Sequence, residues 1–335
     1  METIRSGPVL FKKLLLSVIL LGGAAAGGVA YWAQQAIFEA GPVRPFTIKP
    51  GSTLASSAQQ IDEAGVGVNP QLLELLARAT GKGGKLKAGS YELKPGATPL
   101  RLITQLVRGE FAQESLTVIE GWTFRQMRQA VAAQPALKHD TATLSDAELL
   151  AKITPDFSTP EGLFFPDTYL FAKGSSDMQV YKQAHGLLIK RLNQSWEGRD
   201  ASLPYKTPYE ALIMASIVEK ETGRRADRST IAGVFINRLK IGMLLQTDPT
   251  VIYGMGEQYQ GAIRKRDLTT DTPYNTYTRA GLPPTPIALP GAESISAAMH
   301  PAQTDALYFV ARGDGSSHFS NNLGEHNQAV NQYQR

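Results

Sequence analysis

The stretch Ala211-Leu212-Ile213-Met214-Ala215-Ser216-Ile217-Val218 constrains this chain more than any other segment. It follows Thr207-Pro208-Tyr209-Glu210, in which Thr207 is placed to cap a helix, Pro208 to take its first position and Glu210 to complete a capping box. A helix that is apolar around its whole circumference has no face for water, so the rest of its domain must enclose it. It leaves the enclosure through Glu219-Lys220-Glu221-Thr222-Gly223, with Gly223 the expected stop. Carboxylates are thus delivered from an interior to the edge of whatever opens there. Apolar surroundings raise a carboxyl pKa, and such a group can act as a general acid at neutral pH. Two positions apart, Glu219 and Glu221 point to nearly opposite sides, so one site uses only one of them directly. Glu219 continues the small stripe of Leu212, Ala215 and Ser216, which leaves room for a substrate. Glu221 follows the bulkier Met214, Ile217 and Val218, and Glu219 is therefore preferred. The plain alternative is a pair of solvated charges finishing a buried helix.

The N-terminus carries the second constraint. Arg5, Lys12 and Lys13 precede an apolar run over 14–33, and no charge intervenes between Lys13 and Glu39. Twenty helical residues cross a hydrocarbon layer of ~30 Å. Basic residues before the run predict residues 1–13 in the cytoplasm, a transmembrane helix over 14–33 and an exported body. Tyr31 and Trp32 fall where an interfacial aromatic belt would lie, which favours a retained anchor. A cleaved signal peptide is the competing reading, because the strongly apolar part is short and an Ala/Gly tract follows it.

With 335 residues, the chain is long enough for two modest domains. A hydrophobic share of 42% and a charged share of 19% describe a folded globular protein. The net charge of +4 is scattered without a basic block, which argues against nucleic acid. The absence of cysteine removes disulfides, thiol nucleophiles and cysteine zinc sites. His139, His185, His300, His318 and His326 show no metal-ligand spacing. No cofactor or metal is therefore expected, and His318, beside a hairpin predicted between Tyr308 and Phe319, is the histidine to watch.

After a linker (34–45) comes an extended stretch at Phe46-Thr47-Ile48, then helices over 53–63 and 70–80, a strand over 86–93 and a helix over 98–107. A strand over 116–119 leads to a helix that Thr123 caps with Gln126, another helix near 146–153, and one over 180–196. Turn-then-helix starts recur at Gly51-Ser52-Thr53-Leu54, Gly96-Ala97-Thr98-Pro99 and Gly121-Trp122-Thr123-Phe124. Their unequal spacing excludes a repeat array. The fold class is α+β: one transmembrane helix, a small α+β module (46–112) and a larger α+β domain (113–335) built around the buried helix. The order strand, helix, helix, strand in the small module resembles LysM, a module that lies along N-acetylglucosamine-containing glycans. Any small α+β domain shows the same order.

Several long motifs stand in series. They are Glu161-Gly162-Leu163-Phe164-Phe165-Pro166-Asp167-Thr168-Tyr169, Ala215-Ser216-Ile217-Val218-Glu219-Lys220-Glu221-Thr222, Val234-Phe235-Ile236-Asn237-Arg238-Leu239 and Leu245-Gln246-Thr247-Asp248-Pro249-Thr250-Val251-Ile252-Tyr253-Gly254. Tyr274-Asn275-Thr276-Tyr277 and Gly281-Leu282-Pro283-Pro284 follow. Together, over about 116–333, they resemble the YceG-like endolytic murein transglycosylases. The resemblance implies a lyase that cuts nascent peptidoglycan strands and limits their length, with the first glutamate of Glu-Lys-Glu, Glu219, catalytic. It implies glycan strands as the partner, with peptidoglycan synthases of the same membrane as further partners, and an inner-membrane anchor with a periplasmic body. Chemistry is compatible: a lytic transglycosylase uses the sugar's own hydroxyl as nucleophile and manages with one glutamate as acid and base.

Gln246, Thr247, Asp248, Asn275 and the rings of Tyr253, Tyr274 and Tyr277 offer hydrogen-bonding planes and stacking faces that suit a sugar cleft, and the proline-rich stretch 282–290 can wall it. Glu161, Asp167 and Glu221 complete the candidates. Each also has a packing or capping explanation. Two rival functions stay open: a non-enzymatic wall-binding scaffold, and a muramidase-type hydrolase with Asp248 or Glu221 as second carboxylate.

Overall fold

The computed structural model describes residues 7–334. The chain divides into two compact units, 1–114 and 115–335.

In the first unit, α1 (Gly7–Trp32) precedes β1 (Arg44–Ile48), α2 (Leu54–Glu63), α3 (Pro70–Ala79), β2 (Gly89–Leu93) and α4 (Pro99–Arg108). Helix α1 begins before the expected position 14, so Lys12 and Lys13 lie within it, while Arg5 lies outside the described residues. Its window Leu15–Trp32 has a mean hydropathy of 1.7 and is not buried in the protein. Among the described residues this is one helix long and apolar enough to cross a membrane. Strands β1 and β2 pair antiparallel, with Phe46 opposite Tyr91. Their inward residues Phe46, Ile48, Tyr91 and Leu93 form a core with Ile61, Leu73, Leu102, Ile103 and Leu106 from the helices. The expected strand start at 86 is not observed, because Lys87 N–H donates to Leu106 O and residues 86–88 leave the ladder.

The second unit contains β3 (Gln113–Thr117, whose first two residues precede the division), α5 (Phe124–Ala132), α6 (Asp146–Ala151), β4 (Thr168–Ala172), α7 (Asp177–Glu197), α8 (Pro208–Glu221), α9 (Arg225–Lys240) and α10 (Asp248–Met255). A 3-10 turn, Gly256–Gln258, and α11 (Lys265–Thr269), α12 (Ala292–Met299), β5 (Tyr308–Ala311), β6 (Ser317–Ser320) and α13 (Leu323–Tyr333) complete it. Strand β3 pairs with β4 and ends before Val118, which replaces the expected strand over 116–119. Strands β5 and β6 form an antiparallel hairpin with Phe309 opposite Phe319.

Helix α8 is the centre of this unit. Every residue from Ala211 to Val218 is buried, and α7, α9, α10 and α12 pack around it. Thr207 caps it through its hydroxyl, which accepts from Glu210 N–H at 3.3 Å. The expected capping box does not close: the Glu210 carboxylate turns one residue further back and accepts from Lys206 N–H at 2.6 Å. Ser216 ties the helix to the proline-rich segment, its hydroxyl donating to Ile213 O and accepting from Ile287 N–H at 3.0 Å. At the other end the chain leaves through Thr222 in extended conformation and enters α9 three residues later.

Candidate active site

Glu219 occupies the last turn of α8 with its side chain 5% exposed. Because α9 folds back on α8, Arg228 comes alongside, and its Nη2 lies 3.2 Å from Glu219 Oε1. Glu219 Oε2 accepts from Gly291 N–H at 2.9 Å, at the start of α12. The apolar pocket expected around Glu219 is therefore replaced by a buried guanidinium and a backbone donor. The Arg228 side chain is 8% exposed, and among the described residues its Nε and Nη1 find no hydrogen-bond partner. A buried guanidinium with two idle nitrogens is costly to the fold, which makes its pairing with Glu219 a candidate site.

The turn before α5 lies against the same glutamate. Gly121 has φ +78°, and a Cβ there would meet Glu219 Cγ at 3.7 Å. Lys220 Nζ donates to Gly121 O at 3.3 Å, while Gly121 N–H donates to Leu289 O and Leu289 N–H to Trp122 O. The segment 287–291 is thus bonded to α8 through Ser216 and to this turn through Leu289. It is the part of the proline-rich stretch that lies beside Glu219.

Glu221 lies in a different network. Its carboxyl accepts from Thr247 Oγ1, and burial pushes it up to about 7. Thr247 N–H donates to Thr276 Oγ1 at 3.1 Å, and Gln246 N–H to Thr276 O at 3.1 Å. This pins Gln246 at φ +49°, the one non-glycine residue with positive φ among the described residues, and leaves its side chain exposed. Asp248 opens α10 and accepts from Tyr277 OH at 2.6 Å. Asp248-Pro249 is therefore a helix start that also engages one of the candidate tyrosines.

A third network runs from Glu161. Its Oε1 accepts from Phe124 N–H at 2.9 Å and its Oε2 from Tyr253 OH at 3.1 Å, while burial pushes the carboxyl up to about 7. Tyr253 packs edge-on against Tyr274, centroids 4.9 Å apart, and Tyr274 OH bonds Thr285 Oγ1 at 2.9 Å. Asn275 is 1% exposed and spends its amide on the carbonyls of Asp267, Leu268 and Thr270 and on Tyr277 N–H. Its place is inside the 267–277 loop. Asp167 stands apart, exposed ahead of β4, accepting from Thr168 N–H at 2.7 Å.

Two residues at the Glu219 centre escaped sequence reasoning. Arg228 has a legible signal: it heads the otherwise apolar face Ile231, Ala232 and Phe235 of α9, and a buried arginine needs an acid. Glu120 sits against Gly291, where a Cβ would fall 2.0 Å from its Oε1. Its signal is a departure from pattern, because Pro50 and Pro95 precede the glycine in the two earlier turns and Glu120 does so in the third. Three histidines take packing roles, His185 Nδ1 lying 3.0 Å from Leu163 O, His326 stacking on Tyr308 and His318 contacting Arg312 and Tyr333, while His139 and His300 are exposed.

Comparison with known proteins adds an independent finding. The profile of the YceG-like family matches residues 46–332. A Bacillus subtilis protein named endolytic murein transglycosylase is 33% identical over 305 residues, which is 85% of this chain and 83% of that protein. A Streptococcus pneumoniae protein of the same name is 29% identical over 73% of this chain, and the chain spans 50% of its length. The crystal structure of a yceG-like protein from Listeria monocytogenes superposes with a TM-score of 0.55 at 31% identity, covering 86% of this chain and 99% of that one. The α+β chain described here belongs to the YceG-like family.

Proposed function

We propose that this protein is an endolytic peptidoglycan lytic transglycosylase that cleaves the β-1,4 bond between N-acetylmuramic acid and N-acetylglucosamine within nascent strands. The observation that carries the reading is Glu219, held at the end of an enclosed helix between Arg228 and Gly291 N–H, in a chain whose relatives are named endolytic murein transglycosylases. Protonated Glu219 donates to the bridging oxygen. As a carboxylate it then takes the proton of the muramic acid C6 hydroxyl while that oxygen closes on C1, leaving a 1,6-anhydro end. Arg228 and Gly291 N–H each engage one oxygen of the carboxyl group and hold it in place for both halves. One glutamate is both acid and base, so no cofactor takes part.

Gln246, Asp248, Tyr253, Tyr274 and Tyr277 orient the glycan. Glu161, Glu221, Thr247 and Asn275 hold the segments that carry them. Asp167 has no contact with these networks and is the weakest of the candidates. The first unit contains a polar groove of about 510 Å³ lined by Lys49, Ser52, Ser56, Gln59 and Glu63, which supports reading it as a LysM-like glycan contact. Helix α1 anchors the protein in the inner membrane with the body in the periplasm, near the peptidoglycan synthases whose product it trims. Digesting purified glycan strands with the full-length protein and analysing the fragments by mass spectrometry tests the reading. Anhydro ends are expected; reducing ends would make it a hydrolase, and intact sedimentable complexes alone a scaffold.

A further inference from the structure

We propose that Glu120 is a second carboxylate of the Glu219 centre, placed to stabilise the positive charge that develops at C1 of the muramic acid unit without exchanging a proton itself. The inference rests on the function proposed above. Two glycines place Glu120. Gly121 lies against Glu219 Cγ, and Gly291 donates its N–H to Glu219 Oε2 while the position of its missing side chain is filled by Glu120, whose Oε1 and Cδ would lie 2.0 and 2.2 Å from a Cβ there. The backbone around Glu120 is pinned by the Gly121–Leu289 and Leu289–Trp122 hydrogen bonds and by Lys220. Glu120 is thus fixed at its root, and its carboxylate is exposed, without a hydrogen bond or ion pair to the described residues. Arg228, buried with two unpaired donors on the same glutamate, independently marks a centre whose polar groups the fold does not consume.

The other candidate carboxylates are committed. Glu221 accepts from Thr247, Asp248 from Tyr277, and Glu161 from Phe124 and Tyr253. In the reaction the C1–O4 bond breaks and O4 takes the Glu219 proton; the C1–O6 bond forms and the C6 hydroxyl proton returns to Glu219. Positive charge builds at C1 and the ring oxygen between these events. Arg228 opposes that charge, and Glu219, once it has lost its proton, only neutralises Arg228. The net favourable field at C1 must come from another fixed carboxylate, and Glu120 is the one that stands free at this centre.

The test compares full-length wild type, Glu120→Gln and Glu120→Asp on purified glycan strands, reading kcat, KM, thermal unfolding and the chemistry of the new ends. Glu120→Gln loses no protein partner, so its unfolding temperature should match wild type while kcat falls on the order of 10²-fold with KM nearly unchanged. Glu120→Asp, which keeps the charge and shortens its reach, should recover part of the rate and remains informative if the glutamine variant folds poorly. A Glu120→Gln kcat within about threefold of wild type, or a loss confined to KM, would overturn the role given to Glu120. Reducing ends from wild type would instead overturn the lytic reading and leave the effect of Glu120 on rate readable by itself.

Discussion

At the scale of single residues, two of the candidate carboxyls, Glu161 and Glu221, are buried acids. Glu161 and Glu221 are pushed by burial up to about 7, against about 4.5 in the unfolded chain. Between those values the folded state holds protons that the unfolded state has released, so stability falls as pH rises from about 4.5 to 7 and levels off above. Glu221→Gln, which cannot ionise, should flatten part of that decline in urea titrations and gain on the order of a few kcal/mol relative to wild type at pH 8, because one pKa unit is about 1.4 kcal/mol. An unchanged pH slope would show that Glu221 is not buried as a neutral acid. Gln246 makes a second residue-scale case. A left-handed conformation costs a non-glycine residue roughly 1 kcal/mol, so Gln246→Gly should leave the urea midpoint equal or higher while cleavage falls about tenfold through the lost amide contact. The position of Glu219 at the end of an enclosed helix was legible from the apolar run. Its surroundings were not, because Arg228, Gly121 and Gly291 reach it from segments 9 to 98 positions away.

Among the elements, those whose ends are written in local chemistry were readable. Thr53, Thr98 and Thr123 cap α2, α4 and α5 through their hydroxyls, and Thr207 does the same for α8. The strands slipped by two or three residues, because pairing with a distant partner decides where a ladder ends: Lys87 is drawn to Leu106, and Val118 N–H bonds Asp167 O just beyond β3. The capping box at Glu210 failed for a related reason, since its carboxylate is taken by Lys206 N–H instead. Helix α8 depends on Ser216 as a buried clamp to the 287–291 wall. Ser216→Ala should strand the buried Ile287 N–H, cost about 1–3 kcal/mol and lower the unfolding temperature of the larger unit by roughly 2–12 °C. A variant as stable as wild type would show that the wall is held by other contacts.

Over the whole molecule, the two units and the apolar helix α1 set separable expectations. The protein should stay with membranes through alkaline and high-salt washing; a soluble form beginning near Tyr31 would contradict a retained anchor. Removing residues 46–109 should weaken capture of glycan strands and leave the larger unit folded with some cleavage, whereas an unfolded product would contradict its independence. The motif series made the family legible from sequence, because each long motif carries many matched positions. The choice of Glu219 over Glu221 at the end of α8 rested on side-chain size along the helix and on the family resemblance. The most direct test compares wild type, Glu219→Gln and Glu221→Gln as full-length proteins on glycan strands, scoring 1,6-anhydro ends by mass spectrometry. Because Glu219→Gln deprives buried Arg228 of its charge partner, thermal unfolding is measured alongside and rates are compared where each variant is folded. Folded Glu219→Gln should lose about 10⁴-fold or more in anhydro-end formation while Glu221→Gln retains most of it; Glu219→Gln turnover within about tenfold of wild type, or a dead Glu221→Gln beside it, would contradict the assignment of Glu219 as acid and base.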